Sequence, residues 1–264
     1  MESLTFTALG GECELYGIDV DAATLQQAQA WIARMHDRLT RFEPHSELSR
    51  LNASAGRSFA VSSELEALLR ASLRAFEISD GLVNVAVLPA LRAAGYTRDF
   101  AAGPTERTEP TRVPPLPEAL ELRPGEARLM GGAAVDLGGI AKGWLADRAA
   151  ERIGANVVAN LCGDLFARGG GQTGEGWPIG FGDKTLLLKD LGAATSGTTK
   201  RAWAGGHHVI DPRTGRPAHT DLSEVSVLAA TATDAEIYAK VALLLGSRDA
   251  PTWLASRSPG WSLT

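Results

Sequence analysis

"DLGGIAKGWLAD", residues 136–147, places an acid, two adjacent glycines and a lysine in front of the body of a helix. The apolar run "AAVD" (133–136) just upstream reads as a strand, so the segment is a strand-to-helix junction with its helix over about 138–153. Asp136 is placed to accept from the first amides of that helix. Gly138 and Gly139 carry no Cβ to hold a ligand off the backbone, and the exposed amides of a helix start favour an anion. Lys142 stands one turn in, where an ammonium can meet a phosphate. On these residues alone two readings stay open: a capped helix whose glycines permit close packing, or a phosphate-holding turn. The spacing matches neither GxxxxGK[ST] nor GxGxxG.

Outward from this junction, the texture differs on the two sides. Downstream come short strand-like runs, "NVVAN", "LFAR" and "WPIGFG", after "ARLM" just before it, with Gly-rich turns between. A last helix covers roughly 234–245, with Ile237, Val241, Leu244 and Leu245 on its apolar face and Gly246 at its end. Upstream, Leu4, Phe6 and Ala8 alternate with polar residues, as do Cys13 and Leu15, around Gly10-Gly11. Leu25, Ala28, Ile32, Met35, Leu39 and Phe42 then recur at helical steps behind Asp21, a cap, with Pro44 beyond. Ser63-x-x-Glu66 reads as a capping box for a second helix that stops near Gly81. Five prolines fall within 103–117, an exposed loop or an inter-lobe connection. Helices gathered first and strands later predict an α+β fold, mixed sheets with packed helices, as one domain over 1–264 with room for two lobes.

The composition narrows the function classes. At 264 residues, 44% hydrophobic and 22% charged, the chain can bury a substantial core. The net charge is −5 and no Lys/Arg run exceeds two, which argues against nucleic acid as a partner. Cys13 and Cys162 stand in no paired motif and read as two buried small hydrophobes. No stretch approaches the ~20 apolar residues that span a bilayer, and "MESLTF" is no leader. The expected location is cytoplasmic, or exported if an N-terminal signal has been removed.

Two further clusters could carry chemistry. "HHVIDPRTGRPA" (207–218) has the Asp-Pro and Thr-Gly of a tight hairpin, yet crowds His208, Asp211, Arg213 and Thr214 into seven residues. Histidine is the usual proton carrier near neutral pH. "ATSGTTK" (194–200) is a small-residue loop able to offer hydroxyls and amides. In "TATDAEIYAKVALLLG" (231–246), Asp234 and Tyr238 share a helix face, and Asp234 is either a cap or a carboxylate for a hard cation.

Taken together, "VDLGGIAKG", "NLCGD", "ATSG", "HHVIDPRTGRP" and "TDAEIYAKVALLLG" resemble the ApbE family of FAD:protein FMN transferases. "LGG" (9–11), "SELSRLN" (46–52) and "SDGLVN" (79–84) agree more loosely, so the likeness covers about residues 5–246. The resemblance implies an α+β flavin-transferase-like fold around an FAD cleft, with FAD as substrate and Mg²⁺ as metal. The FMN half of FAD would pass to a Thr or Ser hydroxyl of an acceptor flavoprotein, releasing AMP. Leu9, Gly10, Asp136, Lys142, Gly163, Asp164, Ser196, Gly197, His208, Asp211, Arg213, Thr214 and Gly215 would shape the FAD site. The Gly139 carbonyl, Asp234 and Tyr238 would face the metal, and His208 would act as base for, or orient, the incoming hydroxyl. Several positions depart from the family pattern. Tyr238 replaces a Thr that supplies a metal oxygen, Cys162 replaces the first glycine of "NxGGD", Val83-Asn84-Val85-Ala86 replaces Phe-Asp-Pro-Thr, and Leu9-Gly10-Gly11 replaces Met-Gly-Thr. Two alternatives follow: an FAD pyrophosphatase in which water replaces the protein hydroxyl, and a degenerate, non-catalytic flavin-binding protein.

Overall fold

A computed structural model describes residues 1–264. The chain opens with β1 (Glu2–Ala8) and β2 (Gly11–Gly17), then α1 (Ala22–Leu39), α2 (Glu47–Asn52), β3 (Phe59–Ala60) and α3 (Ser63–Ile78). Next come α4 (Leu88–Ala93), the single turn α5 (Leu116–Ala119), and the β4 (Leu120–Arg123) and β5 (Glu126–Leu129) hairpin. Helix α6 (Ala141–Ile153) leads into β6 (Val157–Leu161), β7 (Asp164–Arg168), β8 (Trp177–Phe181), β9 (Lys184–Leu188) and β10 (Leu191–Gly197). Two small hairpins follow, β11 (Ala202–Trp203) with β12 (Gly206–His207), and β13 (Ile210–Asp211) with β14 (Arg216–Pro217). The chain closes on β15 (Glu224–Ala229), α7 (Ala232–Leu254) and β16 (Trp261–Leu263). Helices and mainly antiparallel sheets make this an α+β protein, as expected.

The residues fall into two compact units. The first comprises residues 1–36, 140–196 and 224–264, and is built on a seven-stranded sheet in the order β1-β2-β6-β7-β10-β15-β16. Side chains alternate across a strand, so Val157, Ala159 and Leu161 leave one face of β6 while Val158 leaves the other. Val158, Leu165, Ala167 and Ala193 pack on that second face with Trp177 and Leu188 of the β8–β9 hairpin. Helices α6 and α7 pack against each other and against the sheet. Gly143 makes their approach possible: a Cβ there would run into the Ala232 carbonyl.

The second unit comprises residues 37–139 and 197–223. It holds the three-stranded sheet β3-β5-β4, helices α2 to α5 and the two small hairpins. The proline-rich stretch 103–117 lies wholly inside this unit.

Several boundaries differ from expectation. Asp21 caps α1 as predicted, its Oδ1 accepting from Thr24 N at 2.7 Å. The cap of α3 is Ser62 rather than Ser63, and Glu66 turns outward to Gly125 N and Arg70 instead of closing a capping box. "AAVD" forms no strand; Val135 N and O are both held by the Asn52 side chain, which does the work a sheet neighbour would do. The final helix begins two residues earlier than predicted and resumes past Gly246, whose φ of 78° breaks it there.

Candidate active site

Within the first unit, the predicted lysine meets acids on three elements. Lys142, in the first turn of α6, forms an ion pair with Asp164 at the start of β7, and its Nζ lies 3.6 Å from Glu236 of α7. Asp164 is 1% exposed, and alternation along β7 sends it to the side opposite Leu165, away from the Trp177 cluster. Its Oδ1 accepts from Thr195 N at 3.1 Å, which ties in the β10 end carrying Ser196 and Gly197. Glu236 Oε2 accepts from Gly143 N at 2.8 Å, satisfying an amide in the first turn of α6. Glu236 was not among the expected residues. With Lys240 four positions on, it has the spacing of a surface ion pair, and only the α6–α7 approach buries it.

The start of α7 is held from α6 as well. Asp147 accepts from Ala232 N, Thr233 N and Thr233 Oγ1 at 2.7, 3.0 and 2.6 Å. Burial pushes the Asp147 carboxyl up, with the like charge of nearby Asp234 adding to it, while its hydrogen bonds from Thr233 and Ala232 pull it down. Thr231, not Asp234, is the helix cap, its Oγ1 accepting from Asp234 N at 3.0 Å. Asp234 therefore stands in the first turn of α7 without being its cap. Tyr238, one turn along, packs its ring against Ala194, Ala229 and Ala235 and stands edge-on to Trp253. No group of three or more His, Cys, Asp and Glu side chains is arranged around a metal position.

Two tight turns lie at one end of the same sheet. Leu9 and Gly10 link β1 to β2 with φ of 55° and 81°, and Cys162 and Gly163 link β6 to β7 with 62° and 96°. Both pairs have the double positive φ of the hairpin turns that match strand twist. Gly163 N donates to Asn160 Oδ1, and Cys162 N to the Glu12 carbonyl.

In the second unit, Asp136 does not cap α6, which begins at Ala141 behind an Ile140 that offers no side-chain acceptor. Its carboxylate accepts instead from Gly138 N at 2.8 Å and from Arg41 Nε at 2.5 Å. Gly139 lies in the turn that follows. The Arg41 side chain is almost wholly buried, donates to the Tyr96 carbonyl, and lies over the Phe42 and Tyr96 rings at 4.3 and 4.5 Å. Trp203 closes on Tyr96 at 5.7 Å. Arg41, Tyr96 and Trp203 lay outside the sequence reading because they are far apart in the chain and belong to no motif.

The "HHVIDPRTG" residues separate into two kinds. Asp211 and Arg213 satisfy each other through a two-pronged ion pair of 2.7–3.1 Å, and Asp211 Oδ1 also takes Arg213 N. Thr214 N and Gly215 N close the turn on the Asp211 carbonyl. At Gly215, φ is 65° and a Cβ would strike the Thr111 carbonyl, so glycine is required. His208 sits in the bend between β12 and β13, half-buried. Its neighbour His207 is committed to structure. Val209 N donates to its Nδ1 at 3.2 Å, so Nε2 carries the proton toward the Ala218 carbonyl, and burial lowers its affinity for a second proton.

A sequence profile of the ApbE family matches residues 8–262. The FAD:protein FMN transferase of Treponema pallidum (strain Nichols) is 31% identical over 267 aligned positions, covering 85% of this chain and 72% of that protein. Among solved structures, the flavinyl transferase ApbE of Pseudomonas stutzeri matches with a TM-score of 0.84 at 20% identity, covering 100% of this chain and 93% of that one. The ApbE protein of Thermotoga maritima matches with a TM-score of 0.85 at 21% identity, covering 97% and 90%. The structural matches speak to the fold.

Proposed function

The chain belongs to the ApbE family, and we propose that it transfers the FMN moiety of FAD to a Thr or Ser hydroxyl of an acceptor flavoprotein, releasing AMP in an Mg²⁺-dependent reaction. The observation that carries this reading is the group of Lys142, Asp164 and Glu236 at the first turn of α6, tied to Thr195 N through Asp164, the residue after Gly163. Attack on a pyrophosphate builds negative charge in an in-line transition state, so positioning and positive charge dominate its catalysis. Here one ammonium faces two carboxylates, which leaves that group at net −1. An FAD pyrophosphate beside it needs more positive charge than Lys142 supplies.

A divalent cation meets that need. Magnesium is commonly held by one or two carboxylates together with substrate phosphates and water. Asp234, in the first turn of α7, would serve as the carboxylate donor. Tyr238 offers only a neutral phenol on a ring seated among alanines, so a bound Mg²⁺ would draw its remaining oxygens from substrate phosphates and water. When bound, the cation neutralises phosphate charge. Lys142 holds the carboxylates in register, and the Gly10 and Gly163 turns let backbone approach the nucleotide. His208 takes the proton of the acceptor hydroxyl or orients it. Asp211, Arg213, Thr214 and Gly215 hold the hairpin next to that histidine.

Incubation with FAD, Mg²⁺ and a protein acceptor bearing a flavinylation-type Ser/Thr should give in-gel flavin fluorescence together with AMP. Asp234→Ala should lose metal-dependent turnover while keeping the fold. His208→Ala should slow transfer by the 10²–10⁴-fold typical of a lost general base, far more than it weakens FAD binding. AMP without a labelled acceptor would identify a pyrophosphatase. FAD binding with neither product would leave the degenerate binding protein, and full activity in Asp234→Ala would overturn the metal assignment.

A further inference from the structure

Cys13 and Cys162, 149 positions apart in the chain, bring their sulfurs to 3.8 Å. The expectation of two buried small hydrophobes holds for Cys13 but not for the partly exposed Cys162; β2 and β6 are neighbours, and Cys13 pairs with Leu161, the residue before Cys162. Both sulfurs also turn toward the Ala8 carbonyl, at 3.7 and 3.4 Å. The two environments differ. Cys13 is fully buried, whereas Cys162 sits partly exposed in the β6–β7 turn, and both are free thiols. Cys162 occupies the left-handed region at φ 62°, which glycine adopts more readily than a residue with a side chain.

We propose that Cys13 and Cys162 form a reversible disulfide, an oxidative modification site that links β2 covalently to the β6–β7 turn. The sulfurs, already at 3.8 Å, have to close to the disulfide bond length of about 2.0 Å. A low-molecular-weight disulfide such as glutathione disulfide supplies the oxidising equivalents. The Cys162 thiolate attacks one glutathione sulfur, forming a mixed disulfide and expelling the first glutathione thiolate. Cys13 then gives up its proton and attacks Cys162 Sγ, expelling the second. Two protein thiols and one glutathione disulfide become one protein disulfide and two glutathione thiols, so atoms and electrons balance. Exposure makes Cys162 the entry point. The hydrogen bond to Cys162 and burial push the Cys13 thiol far up, so it retains its proton until the second step. The proposal does not depend on the flavin reading, although the linked turn carries Gly163 and leads into Asp164.

The test is to equilibrate the full-length chain in glutathione buffers of increasing oxidation, quench in acid and count thiols after denaturation. The expected result is a fall from two thiols to none, an intact mass lower by two hydrogens, a peptide map joining the Cys13 and Cys162 peptides, and full reversal by dithiothreitol. In Cys13→Ser, the reaction should stop at a stable glutathione adduct on Cys162. In Cys162→Ser, Cys13 should remain a free thiol. Two thiols persisting in fully oxidised glutathione would overturn the proposal. So would a stable glutathione adduct on wild-type Cys162, or a bond only between chains.

Discussion

Lys142 is the residue on which most of the first unit's buried charge depends. It is 18% exposed, against 2% and 4% for the Asp164 and Glu236 side chains. Removing the ammonium strands two carboxylates, and losing one partner of a buried ion pair typically costs about 3–5 kcal/mol. Glu236→Gln keeps an acceptor for Gly143 N and leaves Lys142 paired with Asp164, so it should cost less than half as much. Urea unfolding of Lys142→Met and Glu236→Gln checks that order; equal losses would show that the three groups do not share charge in this way. The resemblance pointed to Lys142 and Asp164 through "GGIAKG" and "NLCGD". It did not point to Glu236, because a glutamate four residues before a lysine looks like part of a solvated helix face.

Helix α6 shows how an element is specified from two sides. Its apolar and alanine-rich face is plain in the sequence, and Trp144, Leu145, Ala149 and Ile153 are buried as that face requires. Its start is not plain, since the acid that looked like a cap pairs with Arg41 and the helix begins five residues later. Its one glycine, Gly143, serves the α7 contact. A mid-helix Gly→Ala change ordinarily stabilises by about 0.5–1 kcal/mol. At Gly143 the added methyl meets the Ala232 carbonyl, and overpacking of this kind costs about 1–3 kcal/mol. Gly143→Ala should therefore lower the thermal midpoint and weaken the Glu236 contact. Gly180→Ala, which meets open space on β8, should shift it little. A midpoint raised by Gly143→Ala would show that the two helices do not press together here.

At the scale of the whole molecule, a bound substrate adds to stability by mass action. FAD at 100 times its dissociation constant is worth about 2.7 kcal/mol. If the proposed cation offsets the surplus negative charge around Lys142, FAD should raise the thermal midpoint strongly with Mg²⁺ and only weakly with a chelator. Equal shifts in both would mean that the nucleotide binds without the metal. The sequence by itself determined the α+β class, the long helices and the hairpin turns, because these rest on periodicity and turn chemistry that act within ten or fifteen residues. The family motifs were equally local and marked Lys142, Asp164, His208 and Asp234. Only the tertiary structure decided that Glu236 is buried beside Lys142, that Asp136 belongs to Arg41, and that Cys13 lies against Cys162. Each of those pairings joins residues 90 or more positions apart, and strand order and helix packing, which no local pattern encodes, bring them together.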